Sequence, residues 1–448
     1  MRKLIIAFIV LLMSLFIIVF SQVEMKVMYA PSIEKVKKVM GLGDDEFLIV
    51  GDTKSFTETS DDWFILKANS KHDILKFSIL SGAFSDKLVD FNNVNSYFVG
   101  IGDTWSFRRE SLDDILVGVF DKDLNLVKYY VVSGTRDDRA SKIISVRNGT
   151  YFLGSTRSVG FGAESNLIYK FGPDFYPTNF WVVGSSVDQT PFDLIEISPS
   201  KYLLVSSYQK LSGNKDCLLA VVDDNFNVSR AFAFGGGFDE EITDIIQTKD
   251  NFYFIFNTRS FKPQDKSNIL ISSFKKSNLN YVRSFAFGTL EDDFYLSSYQ
   301  YDDNIFVFFS TMIDKKPALA VAILDYNLAL KATYVINDLF GIDSKVSGFF
   351  PLKENLFAVN IFNLNTLDDI SIFSSKNIFD YLLQDYKKIS KNVQNLRVEK
   401  YYLKVAKYPN IESYPVELKS ESISPDNFVI TDQIKLNYTD INYQDIWK

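Results

Sequence analysis

The chain alternates short apolar stretches with polar clusters over roughly residues 24 to 376. The apolar stretches are rich in Phe, Tyr, Ile and Val, and the clusters between them contain Asp, Asn, Gly and Ser. This alternation is typical of short β-strands joined by turns. The clearest unit predicts four strands, Leu88–Phe91, Ser96–Ile101, Asp114–Phe120 and Leu126–Val132. No helical period is sustained before residue 375, so the pattern predicts an all-β fold.

The four-stranded unit returns about every 51 residues. The end of its second strand marks each copy, at Thr53, Thr104, Thr156, Tyr208, Thr258, Thr311 and Ile361. Repeated four-stranded units of this length predict a seven-bladed β-propeller of four-stranded antiparallel blades. Six units are complete, but the seventh, over about 345–376, lacks a fourth strand. The segment Met25–Tyr29 is similar to the fourth strands, so we expect it to complete the seventh blade and close the ring.

Three regions follow from this reading. Residues 1–21 have a basic start and an apolar run over Leu4–Phe20, which predicts a signal peptide cleaved before Gln22. The alternative is an uncleaved N-terminal membrane anchor. Residues 24–376 form the propeller. Residues 377–448 break the pattern and predict a C-terminal extension, with a short helix at 380–392 and β-strands beyond it. We expect a small β appendage, the alternative being a degenerate eighth blade.

The repeat carries a short motif after its second strand. Its copies are Gly51-Asp52-Thr53-Lys54-Ser55, Gly102-Asp103-Thr104-Trp105-Ser106, Gly154-Ser155-Thr156-Arg157-Ser158 and Asn257-Thr258-Arg259-Ser260. It resembles the degenerate propeller repeats of bacterial secreted proteins, the delta-60-like and SBBP-like groups, over roughly residues 24 to 376. The resemblance implies a propeller and export, to the periplasm, the outside of the cell or the cell envelope. It implies no activity.

Composition narrows the chemistry. The net charge of -8 and the pI near 5.0 argue against a nucleic-acid partner, because phosphate binding needs clustered Lys and Arg. Cys217 is the only cysteine, so no intramolecular disulfide can form, and its apolar surroundings predict a buried thiol. His72 is the only histidine and is expected in an exposed turn, which leaves little for a catalytic triad or a histidine metal site. We predict no cofactor, no metal and a monomer.

Acidic pairs recur at equivalent places in the repeats. They are Asp61-Asp62, Asp113-Asp114, Asp137-Asp138, Asp239-Glu240-Glu241, Glu291-Asp292-Asp293 and Asp368-Asp369. Paired carboxylates can serve glycoside hydrolysis, but a feature shared by successive repeats indicates a shared structural task. We therefore predict that these carboxylates bond the backbone, and no residue is assigned a catalytic role.

Arginines and aromatic residues lie in the loops that follow the second strands and in the links between blades. In a four-stranded meander these loops leave from the same face, and Arg and large aromatic residues often anchor interfaces. The candidate binding residues are Trp105, Phe107, Arg108, Arg109, Arg136, Arg139, Arg157, Tyr208, Arg259 and Phe261.

The predicted function is that of an exported, non-catalytic propeller, either a binding protein or an envelope scaffold. Its partner would be a protein or a polysaccharide of the cell envelope, and it would touch a membrane only through an uncleaved N-terminus. The alternative is a carboxylate-based glycoside hydrolase or lyase of the propeller class.

Overall fold

The architecture is taken from a computed structural model of the chain. The structure describes residues 24–29, 34–43, 45–54, 60–69, 71, 73–82, 84–106, 113–160, 163–209, 213–260, 266–289, 291–313, 316–336, 344–353, 356–363, 366–374, 397–399, 404–407, 412–415, 419–422, 429–430 and 437–441.

The described strands begin with β1 (Glu24–Tyr29) and form seven antiparallel sheets. Six of these sheets are blades of four consecutive strands that pair in chain order. The first three blades are β2 (Glu34–Gly41), β3 (Glu46–Thr53), β4 (Asp62–Asn69) and β5 (Ile74–Ser81); β6 (Asp86–Val94), β7 (Tyr97–Thr104), β8 (Asp114–Phe120) and β9 (Leu126–Ser133); and β10 (Asp138–Val146), β11 (Gly149–Thr156), β12 (Ser165–Phe171) and β13 (Pro177–Gly184). The next three are β14 (Gln189–Ser198), β15 (Lys201–Gln209), β16 (Lys215–Asp223) and β17 (Val228–Gly235); β18 (Glu240–Gln247), β19 (Asn251–Thr258), β20 (Asn268–Lys275) and β21 (Tyr281–Gly288); and β22 (Phe294–Tyr301), β23 (Asn304–Ile313), β24 (Lys316–Asp325) and β25 (Leu330–Ile336).

The remaining sheet is built from both ends of the repeat region. Its consecutive strands are β26 (Ser344–Lys353), β27 (Leu356–Asn363) and β28 (Thr366–Ser374), and β1 pairs antiparallel with β28. The predicted pairing of Met25–Tyr29 with the last repeat is thereby confirmed.

This composite sheet contacts the blades at both ends of the series. Phe349 on β26 stacks on Phe308 of the sixth blade with ring centroids 4.4 Å apart, and Phe350 packs on the first-blade cluster that holds Phe47. An all-β propeller of four-stranded antiparallel blades is confirmed, but the structure has six blades of consecutive strands where seven were predicted. The count differs because the last repeat supplies only three strands of its own.

The hydrophobic core lies between neighbouring blades. Along β3, Phe47 and Ile49 pack into one cluster, while Leu48 and Val50 pack into another that includes Leu88 of the second blade. A strand buried on both faces has no polar side, which explains why these stretches read as continuous apolar runs. The first strands contact one another from blade to blade, β2 with β6, β6 with β10 and β10 with β14, so they surround the axis.

The turns between third and fourth strands follow the predicted Asp/Asn pattern. In the fourth blade, Asp223 Oδ1 accepts hydrogen bonds from the backbone N–H groups of Asn225 and Asn227, each at 2.9 Å. Phe226, between them, has a φ of 59° and a fully buried side chain. Burial of a large apolar side chain offsets the cost of the left-handed backbone, so a bulky residue is tolerated there.

The glycine that opens the repeated motif reflects a close approach between the first and second strands. A Cβ placed on Gly102 would lie 2.0 Å from the backbone oxygen of Lys87, and one on Gly51 would lie 1.9 Å from that of Lys35. Both contacts fall where the first strand bulges, between Val36 and Lys38 and between Leu88 and Asp90. The bulge therefore leaves no space for a side chain opposite it.

The described C-terminal strands extend the existing sheets. Each pairs antiparallel with the outermost strand of a sheet, namely β29 (Arg397–Glu399) with β21, β30 (Lys404–Lys407) with β17, β31 (Glu412–Pro415) with β13, β32 (Lys419–Ser422) with β9, β33 (Val429–Ile430) with β5 and β34 (Asn437–Ile441) with β1. Their order is the reverse of the blade order, so these strands follow the outer rim of the propeller backwards. An added strand satisfies backbone groups that an open edge would expose.

Several predictions concern residues outside the described ranges. They include the signal peptide at 1–21, the helix at 380–392 and the turn position of His72. Among the described residues, no helix is long and apolar enough to cross a membrane. Cys217 lies on β16 with no exposed surface, as predicted, and burial raises the pKa of its thiol well above the ordinary value.

Candidate functional site

The repeated motif forms a clip at the face where the second strands end. In the second blade, the buried Asp86 accepts hydrogen bonds from Thr104 Oγ1, from Ser106 Oγ at 2.9 Å and from the Gly82 N–H at 2.8 Å. The same contacts join Asp138 with Thr156 and Ser158, and Glu240 with Thr258 and Ser260. In these three blades, the Thr and Ser of the motif are therefore explained by one carboxylate at the start of the first strand.

A second set of carboxylates links each blade to the one before it. The residue just before the third strand, or the first residue of that strand in the case of Lys215, donates its backbone N–H to an Asp in the link that follows its blade. The donors and acceptors are Asp113 to Asp137 at 3.3 Å, Glu164 to Asp188 at 2.8 Å, Lys215 to Asp239 at 2.9 Å and Ser267 to Asp292 at 2.7 Å. The structural role predicted for the acidic pairs at these links is confirmed. Asp368-Asp369 lies where side chains are not described.

A third carboxylate position joins the second strand of one blade to the first strand of the next. Asp52 Oδ1 accepts the Leu88 N–H at 2.6 Å, and Asp103 Oδ1 accepts the Ala140 N–H at 2.8 Å. Burial raises the pKa of Asp52 to about 6 and that of Asp103 to about 7, since the charged form loses its water. Burial likewise raises the pKa of Asp86 to about 6. These groups sit under the face, where they hold blades together.

Trp105 is the most prominent predicted binding residue that the structure describes. Its side chain is 43% exposed, and its indole N–H donates to Asp113 Oδ1. Arg139 Nε donates to the other oxygen of Asp113 at 2.7 Å, and Lys87 Nζ lies 5.7 Å from the Trp105 ring centre. Asp113 thus fixes an aromatic ring and a guanidinium side by side at the surface. We call this group, Trp105, Asp113, Arg139 and Lys87, the tryptophan cluster.

The other predicted residues fall into three groups. Arg136 is exposed and donates its backbone N–H to Ser158 Oγ at 2.9 Å, and Arg157 pairs with Glu164 at 3.1 Å and with Asp188 at 3.3 Å. Tyr208 does not belong to the surface, because its side chain is 7% exposed and packs in the core between the third and fourth blades. Phe107, Arg108, Arg109 and Phe261 lie outside the described residues.

Arg259, the remaining predicted residue, lines a pocket that the sequence did not reveal. The pocket has a volume of about 400 Å³ and is formed by the fourth, fifth and sixth blades. Its lining includes Phe192, Lys215, Asp239, Glu241, Arg259 and Phe294. These residues are far apart in the chain, and only the ring brings them together.

A local signal does mark this part of the ring. In the fourth blade the clip positions hold Gln189 and Tyr208, which pair in register, in place of the usual carboxylate and threonine. Gln189 instead bonds Ser185 Oγ at 2.7 Å and Asn166 Nδ2 at 3.2 Å. The blade whose motif departs from the repeat is thus one of those that form the pocket.

Charged side chains nearer the axis form ion pairs or hydrogen bonds with residues of neighbouring blades. Lys38 pairs with Asp90 at 2.8 Å across the first two blades, and Lys142 pairs with Asp193 at 2.5 Å across the third and fourth. Asp244 accepts the Tyr295 hydroxyl at 2.5 Å. Each of these carboxylates follows the bulge of a first strand and is compensated by a neighbouring blade.

Comparison with known proteins adds little to this geometry. No family model and no curated protein matches the chain. One solved structure, described as a new family of polysaccharide lyase, the PL25 ulvan lyase, is similar over 79% of this chain and 94% of its own. The TM-score is 0.44 and the sequence identity is 8%, a likeness that carries no argument about ligand or activity. The propeller assignment rests on the strand pairing described above.

Proposed function

We propose that this protein is an exported, non-catalytic binding propeller that captures a protein or polysaccharide of the cell envelope through its loop-rich face. The observation that carries the proposal is the tryptophan cluster, an exposed indole held beside a guanidinium by a shared carboxylate. Trp and Arg positioned in advance lose little freedom when a partner binds, so they make effective anchors.

The state of the acidic residues supports binding over hydrolysis. A glycosidase needs two carboxyl groups free to act on one glycosidic bond. Asp86, Asp138 and Glu240 are buried in clips, and Asp90 and Asp193 are ion-paired. No specific observation favours the hydrolase or lyase alternative.

The same proposal includes the shape and location of the protein. The composite sheet of β26, β27, β28 and β1 closes the ring between the sixth blade and the first. Pairing of β1 with β28 and the Phe349–Phe308 stack support this closure. The basic and apolar N-terminus supports export.

A quantitative pull-down from the native envelope fraction tests the proposal. We expect the full-length protein to retain a saturable partner, and Trp105→Ala to weaken capture by about 10-fold or more, as loss of a central aromatic anchor does. Tyr97→Ala is the matched control, because Tyr97 is an exposed aromatic residue that begins β7 at the opposite face and contacts Phe175 edge-to-face. Equal capture by wild type and Trp105→Ala, or equal losses in both variants, would contradict the proposal.

A further inference from the structure

We infer that the pocket between the fourth, fifth and sixth blades binds a neutral saccharide unit, such as one end or one branch of a neutral polysaccharide. The inference rests on the proposed binding function and deepens it by naming a ligand class. It uses a part of the loop-rich face distinct from the tryptophan cluster, which lies on the second and third blades.

The charges of the pocket favour an uncharged ligand with many hydroxyl groups. The lining has two cationic side chains, Lys215 and Arg259, and two anionic ones, Asp239 and Glu241, so its formal charges cancel. An anion attracted by the cations would also meet the carboxylates. A sugar hydroxyl both donates and accepts hydrogen bonds, so it can use both kinds of group at once.

Backbone contacts hold this polar lining in place. Asp239 Oδ1 accepts the Lys215 N–H at 2.9 Å, and its backbone oxygen accepts the Arg259 N–H at 3.1 Å. Glu241 lies directly across from Asn257 on the neighbouring strand. The donors and acceptors are therefore carried by paired strands and their ends, which limits the ordering that a ligand must impose.

An aromatic ring supplies the apolar contact that a sugar also needs. Phe294, at the start of β22, is 42% exposed and lines the pocket, and the half-buried Phe192 lines it from β14. One face of a pyranose ring presents mainly C–H groups, which pack on an aromatic face while the hydroxyls at the rim reach polar groups. An exposed phenylalanine beside hydrogen-bonding side chains fits that division.

The experiment is calorimetric titration of the full-length protein with four short oligosaccharides. Three are neutral, maltotriose, cellotriose and tri-N-acetylchitotriose, and the fourth, trigalacturonate, carries carboxylates. We expect at least one neutral trisaccharide to bind and to remain uncut, and Phe294→Ala to weaken it by about 10-fold. Glu241→Gln should weaken it as well, because a charged acceptor becomes a neutral one.

Phe238→Ala is the matched control, since Phe238 is 50% exposed in the link before the fifth blade and does not line the pocket. It should leave the affinity unchanged. Binding of trigalacturonate alone, strengthened by Glu241→Gln, would overturn the neutral class. If none of the three neutral trisaccharides binds, or if Phe294→Ala leaves the affinity unchanged, the assignment of the pocket as a saccharide site is wrong.

Envelope capture by the same variants separates this inference from the proposed function. If the sugars fail while capture still depends on Trp105, only the pocket assignment is wrong. If the sugars fail and capture does not depend on Trp105, the proposed function fails with it.

Discussion

Replacing Val27 by proline is expected to lower the unfolding midpoint by a few degrees and to produce oligomers. Val27 lies opposite Ser371 of β28 on one side and Thr439 of β34 on the other. Whichever neighbour its backbone N–H points towards, it therefore faces a paired strand. Proline removes that donor and disrupts the strand pairing. Loss of β1 also leaves β28 as an open edge to which another chain can add. Thermal unfolding and size-exclusion chromatography with light scattering measure both effects.

Val27→Thr is the matched control, because threonine keeps the N–H and the β-branched shape. Its midpoint should stay close to that of the wild type, and the protein should stay monomeric. A proline variant that unfolds like the threonine variant would show that β1 contributes little to the stability of the ring.

The second large effect is a decline in stability between about pH 4 and pH 7 caused by buried carboxyl groups. Asp103 has its pKa raised to about 7 in the folded protein, so over this interval the native state holds a proton that the unfolded state has released. The contribution of Asp103 to the free energy of unfolding is therefore fully present below about pH 4 and is lost as the pH rises to about 7. The loss is on the order of 2–4 kcal/mol. Asp52 and Asp86, with pKa values raised to about 6, act in the same direction.

Asp103→Asn should flatten this dependence and stabilise the protein at pH 8. An asparagine keeps the oxygen that accepts the Ala140 N–H, and the chain already uses this solution in the fifth blade, where Asn257 Oδ1 accepts the Tyr295 N–H at 2.8 Å. Urea unfolding at pH 5 and pH 8 measures the change. Asp123→Asn, in the exposed turn after β8, removes the same charge and should leave the slope as in the wild type. If the stability of Asp103→Asn changes with pH as much as that of the wild type, Asp103 is not the cause of the pH dependence.

The strands and the pairing of the N-terminal strand with the last repeat could be predicted because they depend on local pattern. Apolar runs bounded by Asp, Asn and Gly locate the strands, and the spacing of Thr53, Thr104 and Thr156 locates the clip. The likeness of Met25–Tyr29 to fourth strands predicted its pairing with the last repeat. Each of these features depends on a few neighbouring residues or is repeated from blade to blade.

The site was less predictable because its members meet only across blades. Nothing in the sequence shows that Trp105 and Arg139 share Asp113, or that Phe294 and Lys215 line one pocket. Tyr208 was expected at the surface because it lies at the end of a second strand beside a loop, but its side chain packs into the core. The placement of the C-terminal strands was equally hidden, since each is short and pairs with a different blade.

The central claim is that the N-terminal strand of this chain closes its own ring, and a designed disulfide tests it directly. Residues that face each other in an antiparallel pair have Cα atoms about 4.5–5.5 Å apart, within disulfide range. Val27→Cys and Ser371→Cys, combined with Cys217→Ala, should oxidise within one chain, and peptide mapping by mass spectrometry should find the bond in the monomer. Pairing Val27→Cys with Lys122→Cys, in an exposed turn of the second blade, should leave both thiols free. Free thiols at 27 and 371 under the same oxidant, or a bond found only between two chains, would contradict the closed ring.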